Sequence, residues 1–483
     1  MSAGSAAPEA STGGGGGLGL LSIGELGIGF SSGAFTPVDV LEEVLGRARG
    51  RARDLRALSL VDEAGARNQA GAAALRWRRG LQLGPFDGVP VTVKDSLAVR
   101  GLPSVRGTRL RAGAAPESAD EPAVARLREA GAVIVGKTTM PEYAWSAVSD
   151  SPVWGVVRNA WDPERTAGGS SGGAAVATAT GVGAVGLGSD GAGSVRIPAS
   201  FNGLVGLKAT YGRIPATPSG AFGRLAHVGP ITRGVEDAAL ALDLLAGPSP
   251  EDPDSLDAPR VSSTEVVRHA RAFVQTLRIG FSADLGVAAV SDEVARVVGE
   301  AVEALRASGV AVDEAEVPLR EGSADMAQVW SGVLAAELAG LGEAAEAALS
   351  PGLRAVLRRG RGLGAVELLR AATRAREGVA PALARFHAGH DVLVTPTVPI
   401  TAFDAGRQVP EGVRTPEGGE RSWIAWTPLT WPFNLTGQPA VTVPVGVDRE
   451  GLPVGAQVVA RRGHDEDALA VARLLEIVSG LRP

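Results

Sequence analysis

Apolar positions along the chain switch repeatedly between a helical period and the short β-rich runs of buried strands. Behind Thr36-Pro37-Val38-Asp39, the residues Val38, Leu41, Val44 and Leu45 recur at helical spacing, with Thr36 as N-cap and Pro37 as first helical residue. Positions 64–79 predict a second helix, rich in Ala and Arg. The run Val89-Pro90-Val91-Thr92-Val93 predicts a short strand that ends at Lys94 and Asp95. A helix over 121–130 and a buried strand over 132–135 follow, then a small-residue helix over 174–181 and a strand over 182–187. Positions 204–208 read as a strand, the stretch after Arg233 as a helix, and 277–281 as a strand. The helix over 292–308 is amphipathic, with Val294, Val297, Val298, Ala301, Val302 and Leu305 on one face. A short strand at 310–312 leads to an Ala/Leu/Arg-rich helical region over 324–377, with a break expected at Pro351-Gly352. Strands at 391–396, 438–444 and 454–459 and a helix over 465–479 close the chain. The alternation predicts an α/β fold with a central, mostly parallel sheet between helical layers.

Composition sharpens this picture at a few points. Aromatic residues make up only 4% of the chain, so the core must be built from Ala, Val and Leu. The net charge of −6 argues against general nucleic-acid binding, which needs a basic face. The chain has no cysteine, which excludes disulfides, thiolate metal ligands and a cysteine nucleophile. The five histidines, His227, His269, His387, His390 and His464, are scattered, so neither a metal site nor a cofactor is expected. Positions 1–17 are Gly/Ala/Ser-rich without a basic segment ahead of an apolar one, which reads as a disordered tail and not a secretory signal. No apolar run reaches the roughly 20 residues that span a bilayer, so a cytoplasmic protein without membrane contact is expected. Positions 248–261 read as a linker and 402–420 as a mobile loop.

One pattern invites a nucleotide-binding reading and fails it. Gly131-Ala132-Val133-Ile134-Val135-Gly136-Lys137-Thr138 satisfies the formula of a phosphate-binding loop. In such a loop the strand precedes the first glycine, and the four variable residues wrap the phosphate. Here those four residues are themselves the strand, and Met140-Pro141-Glu142 interrupts the helix that should follow.

The chemistry concentrates between Gly168 and Ser200. Gly168-Gly169-Ser170-Ser171-Gly172-Gly173 opens this stretch, and Ser189-Asp190-Gly191-Ala192-Gly193-Ser194-Val195-Arg196 follows a run of small residues. Glycine-rich turns let successive N–H groups converge on a negative oxygen, and a serine within one is placed as a nucleophile beside its own oxyanion hole. Ser170 and Ser194 are both candidates. No histidine lies near either, so Lys94 at its strand end is the candidate base. Burial without a counter-charge lowers a lysine pKa by several units, and Ser-Lys pairs are an accepted form of the triad logic.

Three blocks carry a resemblance to a known family: Asp87-Gly88-Val89-Pro90-Val91-Thr92-Val93-Lys94-Asp95, the Gly168–Gly173 block, and Asp190-Gly191-Ala192-Gly193-Ser194-Val195-Arg196-Ile197-Pro198. In this order and spacing they resemble the amidase signature hydrolases, and weaker likeness runs from about Leu21 to the C-terminus. Ala192 departs from the family, which usually has paired glycines before the last serine. The resemblance implies a mixed sheet and one amidase domain over 18–483, with a signature core at about 80–250 and a variable helical cap at about 290–390. It implies Ser194 as nucleophile, Ser170 (on a cis peptide) as proton relay, and Lys94 as base, working through an acyl-enzyme. The N–H groups of Gly191, Ala192, Gly193 and Ser194 would form the oxyanion hole, with Ser171, Asp190 and Arg196 holding the loops. Met140, Tyr143, Trp431 and Phe433 are candidates for lining the substrate pocket, with a core role as the alternative reading. The expected partner is a small-molecule amide, and a homodimer is compatible with the reading. Two alternatives stand beside it: the glutaminase subunit of a tRNA-dependent amidotransferase, and a non-catalytic binding module on the same scaffold.

Overall fold

The strand-forming runs hydrogen-bond into one sheet of eleven strands, with a separate two-stranded ribbon. This computed structural model describes residues 17–217, 220–411 and 422–481. The expected tail lies outside the described residues except for Gly17, and so does the expected mobile loop from 412 onward. The strands are β1 (Leu58–Val61), β2 (Pro90–Lys94), β3 (Val133–Thr138), β4 (Asp150–Ser151), β5 (Gly155–Val156), β6 (Val185–Asp190), β7 (Val205–Lys208), β8 (His227–Thr232), β9 (Ile279–Phe281), β10 (Val312–Glu314), β11 (Val392–Pro396), β12 (Ala440–Val447) and β13 (Pro453–Ala460). The order in the large sheet is β1-β3-β2-β6-β8-β7-β12-β13-β11-β9-β10.

Four of its ten pairings are parallel, β2 with β3 and β6, and β9 with β10 and β11; six are antiparallel. The sheet is therefore mixed, as the resemblance implied, and the expectation of a mostly parallel sheet is corrected. Two features account for the difference. A tight turn between Asp448 and Leu452 returns β12 directly into β13, and such a hairpin is antiparallel. The second is β8, which the apolar pattern does not reveal. It contains Gly229 and Pro230, residues that argue against a central strand, yet Pro230 sits opposite Leu187 in the middle of the sheet. The short edge strand β1 also escapes the pattern, because it lies between two helices and pairs only with β3.

Side chains alternate between the two faces of the sheet, as strand geometry requires. Val392 and Val394 of β11 join a core with Val294, Val297 and Val298 of the helix Asp292–Ala307 and with Leu469 and Leu475 of the helix Asp465–Ser479. Leu393 between them faces a second core on the other side. That second core holds the helices Ser323–Glu337, Pro351–Gly362 and Ala365–Gly389 together with a tryptophan-rich segment, 423–431. The region expected as a cap from about 290 is thus divided, because its first helix lies on the sheet and only the later ones cover the other core. Pro351 takes the first helical turn, where its missing N–H has no consequence, so the chain break lies just before it. The first helix, Pro37–Arg49, buries Val40, Leu41, Val44 and Leu45, whereas Val38 is exposed. No helix among the described residues is long and apolar enough to cross a membrane.

Candidate active site

β2 is buried along its whole length and ends in Lys94, which is fully buried. β6 lies parallel beside it, with Val93 opposite Leu187, so Ser189 and Asp190 emerge next to Lys94. The helix Gly172–Ala179 packs beneath, and Ser170 and its N-cap residue Ser171 enter it at the same point. This close approach explains Gly173, since a Cβ there would lie 2.5 Å from the carbonyl oxygens of Ala57 and Thr139. The Gly169–Ser170 peptide is cis.

Lys94 Nζ reaches four oxygens: Ser170 Oγ at 2.7 Å, Ser171 Oγ at 2.9 Å, Ser189 Oγ at 3.0 Å and the Ser189 carbonyl at 3.3 Å. No carboxylate among the described residues touches it. Burial pushes its pKa down to about 7, against a weaker upward pull from Asp190. Ser171 donates its hydroxyl proton to the Ser189 carbonyl at 3.1 Å, so toward Lys94 it is an acceptor. Ser189 is a partner of the lysine that sequence reasoning quoted but did not assign.

The turn after β6 brings Ser194 to this cluster. The Ser171 N–H donates to the Ser194 carbonyl at 3.1 Å, which joins the two serine blocks. The Ser194 hydroxyl has no hydrogen-bond partner among the described residues, and the residue is 6% exposed. Asp190 shapes the turn by accepting from the N–H of Gly193 at 2.7 Å and of Val195 at 3.2 Å. The Gly193 N–H is therefore already committed. Those of Gly191, Ala192 and Ser194 have no partner among the described residues.

Arg196 locks this arrangement from behind. It is buried and donates to both oxygens of Asp190, at 2.9 and 3.0 Å, to Gln457 Oε1 and Asn434 Oδ1, each at 2.7 Å, and to the Thr430 carbonyl at 2.9 Å. Asn434 in turn donates to the Asp190 carbonyl and carboxylate, both at 2.9 Å, and Thr430 Oγ1 donates to the Ala192 carbonyl at 2.8 Å. Burial alone would raise the Asp190 pKa, but Arg196 and Asn434 outweigh it and hold the carboxyl far below the usual carboxylate range. Thr430, Asn434 and Gln457 were missed as turn supports. They lie more than 230 residues from the turn, and no local spacing announces them.

Of the residues considered for the pocket, Trp431 and Phe433 are buried in the same cluster as Ala192, and Tyr143 packs half-buried against it. Met140 is buried after β3 and is not part of that cluster. One aromatic side chain beside the turn was not singled out by the sequence. Trp330 of the cap helix lies where a Cβ on Gly191 would come within 3.2 Å of its ring. It contacts Phe222 and Trp423 edge-on and donates its indole N–H to the Trp145 carbonyl at 2.9 Å. Two cavities, of about 120 and 450 Å³, lie elsewhere, and none of Lys94, Ser170 and Ser194 lines either.

The family model for amidases matches residues 39–469. The chain belongs to the amidase family. As an amidase it is an enzyme that hydrolyses carbon–nitrogen bonds of amides. It is 34% identical over 466 residues to an acylamidase of Rhodococcus erythropolis, covering 95% of each chain. It is 35% identical over 483 residues to a glutamyl-tRNA(Gln) amidotransferase subunit of Deinococcus radiodurans, covering 93% of this chain and 96% of that one. In structure it is similar to a bacterial aryl acylamidase of the amidase signature family, with a TM-score of 0.86 at 26% identity over 96% of this chain and 97% of that one.

The arginine lock in this amidase yields a direct prediction. Arg196→Lys keeps the charge but has no planar fork to hold both Asp190 oxygens. A buried pair broken from one side costs about 3–5 kcal/mol, so this variant is expected to lose most of that in urea unfolding. Its kcat should fall more than its KM rises, because the turn loosens while the aromatic wall stays. Unchanged stability and kcat would show that the turn holds itself.

Proposed function

We propose that this amidase is an acylamidase, cleaving the amide of an apolar or aromatic acyl or amine group through Ser194, Ser170 and Lys94. The observation that carries this reading is the buried Lys94 Nζ, 2.7 Å from Ser170 Oγ, with no carboxylate among the described residues to hold its proton. With its pKa near 7, a large fraction of the lysine is neutral at neutral pH. A neutral amine has two N–H donors and one lone pair. Ser171 accepts one N–H, and the lone pair is then available to accept from Ser170.

In the proposed reaction Ser194 Oγ attacks the carbonyl carbon. Its proton passes to Ser170 Oγ as the Ser170 proton passes to Lys94 Nζ. The developing oxyanion is held by the N–H groups of Gly191, Ala192 and Ser194, which cost no reorganisation because Asp190 and Arg196 fix the turn. The proton then returns through Ser170 to the nitrogen, the C–N bond breaks, and the amine leaves. Water repeats the sequence on the acyl-Ser194 ester and releases the acid.

The 35% identity to an amidotransferase component favours a second reading, glutamine hydrolysis. Glutamine carries an α-carboxylate and an α-ammonium, which require charged partners when desolvated. Ala192 belongs instead to an apolar cluster that includes Trp330, Trp423 and Trp431. A panel of anilides, aliphatic amides and glutamine, scored for released amine or ammonia with purified protein, separates the readings. The acylamidase reading expects anilides or apolar amides to be turned over and glutamine to be inert. Glutamine as the best substrate would select the second reading, and no turnover of anilides or apolar amides would overturn the first.

A further inference from the structure

Lys94 has more oxygen neighbours than a neutral amine can use. Such an amine offers two N–H bonds and one lone pair, and four oxygens lie around Nζ. The Ser189 carbonyl only accepts, and Ser171 spends its proton on that carbonyl, so neither can face the lone pair. The hydroxyls of Ser170 and Ser189 remain as donors to it, and the distances separate them. Ser170 Oγ is nearest, at 2.7 Å. Ser189 Oγ at 3.0 Å stands, like Ser171 Oγ at 2.9 Å, at the usual N–H···O separation, which makes it an acceptor.

Ser189 differs from the rest of the cluster. Lys94, Ser170 and Ser171 are buried, whereas Ser189 is partly exposed. Its hydroxyl has one hydrogen-bond partner among the described residues, Lys94. Its backbone is fixed without that hydroxyl, because its N–H donates to Ser171 Oγ at 3.3 Å and the residue pairs with Val228 of β8. The nearby charges do not compete for the lysine. Asp190, next on β6, is the charged group that Lys94 feels, and it is paired with Arg196. Lys137 of β3 lies opposite Val93 and so points to the other face, where it donates to the Leu97 carbonyl at 2.7 Å and to Ser104 Oγ at 3.0 Å. Asp95 accepts from the Arg106 N–H.

We propose that Ser189 is a positioning residue for the base: its hydroxyl and that of Ser171 take the two N–H bonds of neutral Lys94 and turn the lone pair onto Ser170. This rests on Lys94 acting as the base. Without the Ser189 hydroxyl, the second N–H is left with the Ser189 carbonyl at 3.3 Å, and the amine can turn its lone pair away from Ser170. The same oxygen also accepts from the ammonium, so its loss disfavours the charged form.

The test follows the second-order rate of fluorophosphonate reaction across pH, which requires no knowledge of the amide, with thermal unfolding as the control for folding. Ser189→Ala is expected to lower the high-pH plateau about tenfold and to move the rising limb about one unit toward lower pH, the effect of one lost hydrogen bond to a charged group. Ser189→Thr keeps the hydroxyl and is expected to restore both. Ser189→Asp places a carboxylate beside the ammonium and is expected to move the limb toward higher pH. A merely structural role would lower the rate without moving the limb. An unmoved limb in Ser189→Ala, or shifts of the same sign in the Ala and Asp variants, would overturn the proposal and leave Lys94 as the base. A wild type with no limb near neutral pH would remove Lys94 as the base and this role with it. The amide panel stands apart from both results.

Discussion

Ser194→Ala is expected to lower kcat by at least about 10⁴-fold on whichever amide the enzyme turns over best. The variant removes one oxygen that has no hydrogen-bond partner among the described residues, and it leaves intact the backbone bond from Ser171 to the Ser194 carbonyl. Unfolding should therefore be nearly unchanged, and the loss will be chemical. Ser170→Ala is expected to be severe but to leave more activity, since a water in the vacated space can pass the proton between Ser194 and Lys94. Ala192→Gly is expected to be mild, because the oxyanion is held by N–H groups and not by that side chain. Reaction with a fluorophosphonate and peptide mass spectrometry checks the assignment. Label is expected on Ser194 in the wild type and in Ala192→Gly, and on no serine of the cluster in Ser194→Ala. Label on Ser170 with Ser194 unmodified would reverse the two roles.

The second large effect is on pH. If neutral Lys94 is the base, kcat/KM should rise tenfold per pH unit below about 7 and level off above it. The sign follows from burial, which disfavours the ammonium and brings the proton off well below the ordinary lysine value. A lysine with an ordinary pKa would instead give a limb that climbs toward pH 10. Lys94→Ala should abolish the limb along with nearly all activity, a loss comparable to that of Ser194→Ala, since the residues act as one unit. A control is needed because Lys208 is also buried and also driven down to about 7, by burial first and then by Arg196. Among the described residues Lys208 Nζ donates only to backbone carbonyls, those of Gln438 and Ala209. Lys208→Met is expected to keep the limb. Its disappearance in that variant, or full turnover by Lys94→Ala, would move the base away from Lys94.

The residues of the proposed triad each stand out in the sequence. Lys94, Ser170 and Ser194 lie at the ends of local elements, a strand, a helix start and a glycine turn, and each carries its own short signature. The amphipathic helix over 292–308 was equally legible, because its six apolar positions repeat at a helical period regardless of what they pack against. Gly193 shows where such reading stops. The family resemblance implies its N–H as part of an oxyanion hole, but only the fold shows that Asp190 already holds it.

Local features are therefore written in the chain itself: strand ends, helix starts, small residues where backbones touch, and a lysine without a nearby histidine as the proposed base. Each depends on neighbours within a few residues, whose spacing can be read directly. The pairing of distant segments is settled only when the whole chain is folded. Pro230 entered a central strand because its neighbours on both sides supplied pairing that local propensity argues against. Asn434, Thr430 and Gln457 became the support of a turn more than 230 residues away, and Trp330 of the cap became the side chain over Gly191. Those roles come from sheet order and from which helix covers which face. They are set by the sum of many packing and pairing terms over the whole chain, and no single stretch of sequence contains that sum.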